Sequence, residues 1–119
     1  MNSEALTINL THLKSIIGDD NEFVIEILEM IQNQSPGVVA DMEVLLENHD
    51  YRALGEVAHK YKSSINILGN PVLSGMIREI ENTAIDAPNQ DVLQNLVQEF
   101  RETCDSLLQV IENELQQLH

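Results

Sequence analysis

The sequence predicts an all-α protein: an antiparallel up-down four-helix bundle with a short additional N-terminal helix. Three observations point there. Apolar residues recur at the 3, 4, 7 spacing of a buried helical stripe in every long segment, and no segment alternates as a strand would. Cap and turn residues leave only short connections, at Gly18-Asp19-Asp20-Asn21, Asn48-His49-Asp50, Gly69-Asn70-Pro71 and Asp86-Ala87-Pro88-Asn89. With 119 residues and 43% apolar side chains, the chain suits a single domain spanning residues 1–119 with a substantial core. That core must be aliphatic, because Phe23, Phe100, Tyr51 and Tyr61 are the only aromatics and there is no Trp.

The first helix is expected over Leu10 to Ile17 and stops at Gly18, a suitable C-terminal cap. Asp19, Asp20 and Asn21 supply N-cap chemistry for the second. Its stripe is Val24, Ile27, Leu28, Ile31, Val38, Val39, Met42, Leu45 and Leu46. Pro36 falls inside that stripe and removes a backbone donor, yet the phase is kept across it with small Ser35 in line. One long, bent helix is therefore expected. Asp50 can cap the third helix, whose inward residues are Leu54, Val57, Ala58, Tyr61, Ile65 and Leu68 and which ends at Gly69. Asn70 before Pro71 marks the start of the fourth, with Leu73, Met76, Ile77, Ile80 and Ala84 inward. The last runs from about Gln90 to near Leu118, burying Leu93, Val97, Phe100, Cys104, Leu107, Ile111 and Leu115.

Charge and composition exclude several classes of function. Six basic against twenty acidic side chains give a formal charge of −14, which repels nucleic acid and anionic membranes. The single cysteine, Cys104, cannot form an intramolecular disulfide, and its place between Phe100 and Leu107 predicts a buried, inert thiol. The start at Met1 lacks the basic and apolar regions of a signal peptide, and no stretch approaches the roughly 20 apolar residues of a membrane span. A soluble, cytoplasmic monomer is expected, and the initial Met1 without a linker tail favours a free-standing chain over a piece of a larger protein.

His59 is the candidate functional residue. At roughly 100° per residue it points away from the apolar stripe of its helix. Small residues, Gly55 and Ser63, lie one turn before and one turn after it, and the mid-helix glycine answers either to a steric need at His59 or to a close helix contact. Arg52 and Lys62 share its face, and Lys60 lies round the side, so half of the chain's six basic residues fall within eleven positions. A nucleophilic imidazole needs a free ring nitrogen, and nearby lysines favour the neutral ring before reaction and stabilise phosphate oxygens after it. Glu56, at i−3, is placed to accept a hydrogen bond from the other ring nitrogen and fix the tautomer. With Asn66, the residues Gly55, Ser63, Arg52 and Glu56 form the surface on which a partner carrying a phosphoryl group is expected to dock.

Other readings are weaker. Glu56-Val57-Ala58-His59 is a Glu-x-x-His sequence of the kind that contributes to di-iron centres, but no second copy exists and His59 faces outward, so no metal site is expected. His12, His49 and His119 read as solvated residues. No glycine-rich phosphate loop or Ser/His/Asp arrangement is visible, so neither ATP binding nor turnover catalysis is expected. A phosphate-independent acidic module that scaffolds or inhibits a signalling partner is the alternative from another functional class.

The segment Ala58-His59-Lys60-Tyr61-Lys62-Ser63-Ser64, closed by Leu68-Gly69, resembles the motif of the histidine-containing phosphotransfer (HPt) domains of multistep phosphorelays. That motif runs His-x-(apolar)-Lys-Gly-(small)-(small), with an apolar residue and Gly following. The resemblance extends to the Pro36-containing helix, the Asn48-His49-Asp50-Tyr51 turn and the Ile80-Glu81 helix. It implies a four-helix bundle in which His59 accepts phosphate from an aspartate of one receiver domain and passes it to an aspartate of another. It implies that Lys62 lies near the phosphoryl group, with Lys60 a secondary cation. The implied partners are receivers of response regulators or hybrid sensor kinases. No cofactor is implied for this chain, magnesium belonging to the receiver. Ser63 departs from the motif, which has glycine there.

Overall fold

Side chains that replace missing backbone acceptors set where the helices begin. The computed structural model describes residues 6–118, which form α1 (Leu10–Ile17), α2 (Asn21–Glu47), α3 (Tyr51–Ile67), α4 (Pro71–Asp86) and α5 (Gln90–Leu118). Asn9, Asp20, Asp50, Asn70 and Asn89 each accept from backbone N–H groups in the first turn that follows them. Pro71 occupies the first turn of α4, where its missing N–H costs nothing. Gly69 adopts φ 67°, and a Cβ there would lie 2.9 Å from the Cβ atoms of both Asn9 and His12. Glycine thus both turns the chain and lets α1 close over this end, and α3 stops at Ile67 rather than at Gly69.

The four long helices form a closed ring of neighbours: α2 beside α3, α3 beside α4, α4 beside α5, and α5 beside α2. Short connections make successive helices antiparallel, which is the expected up-down bundle. At about 1.5 Å per residue, the 29 residues of α5 match the 42 Å long axis of the molecule. α1 packs on α2 and α3. No helix among the described residues is long and apolar enough to cross a membrane.

α2 runs unbroken through Pro36, and its buried residues Val24, Leu28, Ile31, Ser35, Val39, Met42 and Leu46 keep phase on both sides. Ser35 donates its hydroxyl to the Ile31 carbonyl at 2.6 Å. With that proton committed, Tyr61 donates its own hydroxyl to Ser35, so two buried polar groups satisfy each other. Tyr61 also meets Phe100 edge to face, with centroids 6.0 Å apart. All seven α5 residues expected inward are buried. Ile27, Val38, Leu45, Val57 and Met76 are only partly buried, because each sits at the edge of its stripe. Cys104 is buried, and desolvation pushes its thiol up to about 12.

The α3–α4 seam is tight. A Cβ on Gly55 would lie 2.7 Å from Ile85 Cγ1 and 3.6 Å from Ala84 Cβ. Gly55 is buried and turned toward α4, which corrects the expectation that it clears space for a docking partner. Its missing side chain admits Ile85 instead. We expect Gly55→Ala to cost about 1–2 kcal/mol as Ile85 is displaced. Gly75, with nothing within 4 Å of its Cβ position, behaves oppositely: Gly75→Ala gains about 0.5–1 kcal/mol from helix propensity. Urea unfolding of the two variants gives both signs. Cys104 should resist alkylation in native protein at neutral pH and react at once in denaturant, as thiol titration would report.

Candidate functional site

α3 presents His59 on its outer side because the core stripe of Leu54, Ala58, Tyr61, Ile65 and Leu68 faces the other way. The His59 side chain is 65% exposed. Its ring is nevertheless held in place. Nδ1 lies 2.5 Å from Glu81 Oε2 on α4. A carboxylate only accepts, so Nδ1 carries the proton, and in the neutral ring Nε2 keeps a free lone pair. The other Glu81 oxygen accepts from Lys62 Nζ at 2.9 Å. One carboxylate thereby fixes the ring and the lysine together.

Glu81 is 10% exposed at its side chain, and burying an unpaired carboxylate there would be costly. Lys62 and His59 prevent that cost. The hydrogen bond from Lys62 is the largest influence holding the Glu81 carboxyl below the usual glutamate range. Burial pushes the other way, and the hydrogen bond from His59 lowers it further. Glu81 is therefore an anion throughout the neutral range.

The structure brings His59 and Lys62 together but separates several residues expected beside them. Glu56 does not reach the ring; it pairs with Arg52 Nε at 3.5 Å in an exposed i,i+4 contact, and Glu81 takes the place expected for Glu56. Lys60 is exposed, without an ion pair among the described residues. Ser63 and Asn66 are exposed on α3. His12 is exposed as expected, but its Nε2–H donates to the Asn66 carbonyl at 3.1 Å, tying α1 to the end of α3. His49, in the α2–α3 turn at φ 57°, donates from Nδ1 to the Tyr51 hydroxyl at 3.0 Å. Tyr51 donates in turn to Gln90 at 2.7 Å. His119 lies outside the described residues. No group of three or more His, Cys, Asp or Glu side chains among the described residues is disposed to hold a metal ion.

Glu81 is the residue that the pattern of the isolated helices missed. Its signal was present: it stands four residues after Ile77 and three before Ala84, a carboxylate in register with the buried stripe of α4. Because its carboxyl titrates lower in the folded protein than in the unfolded chain, its contribution is complete above the ordinary glutamate pKa. That contribution is lost as pH falls through the lowered folded value. Glu81→Gln should therefore be less stable than wild type at pH 7, with the gap closing in strong acid; urea midpoints at pH 7 and pH 3 test this.

A sequence model described as the Hpt domain matches residues 26–119, a span that contains all of α3, α4 and α5 and most of α2. No curated protein and no solved structure matches the chain. Members of this family are helical bundles that carry phosphoryl groups in two-component phosphorelays, rather than enzymes with ATP sites, and they interact with receiver domains. On a match over most of its length, the chain belongs to the Hpt domain family.

Proposed function

We propose that His59 is the phosphoacceptor: it takes a phosphoryl group from an aspartate of one receiver domain and passes it to an aspartate of another. The observation that supports this best is the pinned but exposed ring, with Nδ1 on Glu81 and the side chain 65% exposed. In this reading Nε2 attacks phosphorus in line, and the P–O bond of the aspartyl phosphate breaks with its electron pair left on the aspartate. The Nδ1 proton stays on the ring. The ring is cationic once Nε2 bears the phosphoryl group, and the Glu81 carboxylate offsets that charge. Lys62 sets the position of Glu81 and adds positive potential for phosphate oxygens, with Lys60 a second cation.

The receiver docks on the exposed face of α3 around Arg52, Glu56, Ser63 and Asn66, and supplies magnesium from its own acidic pocket. Since magnesium and the aspartate both reside on the receiver, this chain acts as a stoichiometric carrier.

The test is to mix the protein with phosphorylated receivers and follow acid-labile, base-stable phosphate. His59→Gln should accept none. Glu81→Gln should accept phosphate about 10- to 100-fold more slowly, because the amide still accepts from Nδ1–H but no longer offsets the charge of the phosphorylated ring. Acceptance by His59→Gln at the wild-type rate would overturn the assignment. Receiver binding without phosphate transfer by the wild-type protein would instead indicate a scaffolding module.

A further inference from the structure

We propose that Ser63 is a further phosphoryl-binding residue, whose hydroxyl donates a hydrogen bond to a nonbridging oxygen of the group carried on His59 Nε2. This inference rests on the reading of His59 as acceptor, and names what holds the phosphoryl group on the side of the ring away from α4.

The arrangement around the ring is asymmetric. On the α4 side, Glu81 engages both His59 Nδ1 and Lys62 Nζ, and Gly55 is covered by Ile85. Nε2 is on the opposite edge of the imidazole from the pinned side, so a phosphoryl group there extends away from α4. Around the helix axis, Lys62 lies to one side of His59, toward Glu81, and Ser63 lies about 40° to the other. Residues four apart on a helix have Cβ atoms about 5–6 Å apart. Because every Cα–Cβ bond of the helix tilts the same way, the two side chains stand one above the other on one face.

The Ser63 hydroxyl is uncommitted. Serines within helices commonly bond the carbonyl one turn earlier. Ser35 does so to Ile31 at 2.6 Å, and Ser15 bonds the His12 carbonyl at 2.6 Å. Its immediate neighbour Ser64 donates to Gln34 at 3.2 Å. Ser63 is exposed and has no hydrogen-bond partner among the described residues. Lys62, by contrast, is already engaged by Glu81. A neutral donor on the free side complements that cation, and Ser63 keeps its proton throughout. Where the motif of the family has glycine, this chain presents a hydroxyl that holds the phosphoryl group on the carrier.

The experiment loads the protein with phosphoramidate at a fixed ammonium concentration and measures equilibrium phosphorylation of His59 by peptide mass, with the ³¹P shift of the phosphohistidine as a second readout. Ammonia leaves as the N–P bond to His59 forms. Ser63→Ala and Ser63→Gly should each lower the phosphorylation equilibrium constant about three- to tenfold and move the ³¹P resonance. Ser63→Thr, which keeps the hydroxyl, should retain the wild-type equilibrium. Ala and Gly variants within twofold of wild type would overturn the role of Ser63, as would a loss that Thr shares with them. If His59→Gln is phosphorylated like wild type by receivers, the reading of His59 itself falls and takes Ser63 with it. If that variant is inert while the Ser63 variants are silent, only the inference about Ser63 falls.

Discussion

A buried carboxylate at the α3–α4 seam, Glu81, is the point on which the outer face of this bundle depends. Both of its oxygens are used, one by the His59 ring and one by Lys62. An exposed histidine on a helix ordinarily samples several rotamers and two tautomers. Here the second helix removes that freedom, because a carboxylate can only accept and is too enclosed to be left with a single partner. The same interaction settles which ring nitrogen faces solvent. Ring orientation and the charge beside it are thus consequences of one side chain.

That interaction needs α3 and α4 close together and in one register. Gly55 permits the approach by giving its space to Ile85, one turn from His59. Asn70 and Pro71 set the start of α4, and Gly69 turns the chain just before it. Beneath the seam, the core from Leu54 through Leu68 meets Leu73 through Ala84, so apolar burial holds the two helices together while the polar contacts orient what lies above. The span matched by the family model contains both helices.

Charge is distributed unevenly around the ring of helices. α2 carries acidic side chains and no lysine or arginine, and α5 has only Arg101, which pairs with Glu43 of α2 at 3.2 Å. Arg52, Lys60, Lys62 and Arg78 all lie on α3 and α4. An acidic partner is therefore repelled least on the α3–α4 side, where His59 stands. The acidic composition that disfavours nucleic acid also gives the bundle a preferred face.

The amino-acid sequence by itself determined the helices, their caps, the run of α2 through Pro36, the buried stripe of α5 and the outward direction of His59. All of these follow from local chemistry and the 3.6-residue period, which fix where a side chain sits around its own helix. Only the tertiary structure decided that Glu81 rather than Glu56 holds the ring, and that Gly55 serves helix packing rather than docking. His59 and Glu81 are 22 residues apart, on different helices. Periodicity gives the angle of each side chain but neither the identity nor the height of the neighbour it meets. Those are set by how closely two helices pack and in what register, which here came down to a missing Cβ and a buried charge that required two partners.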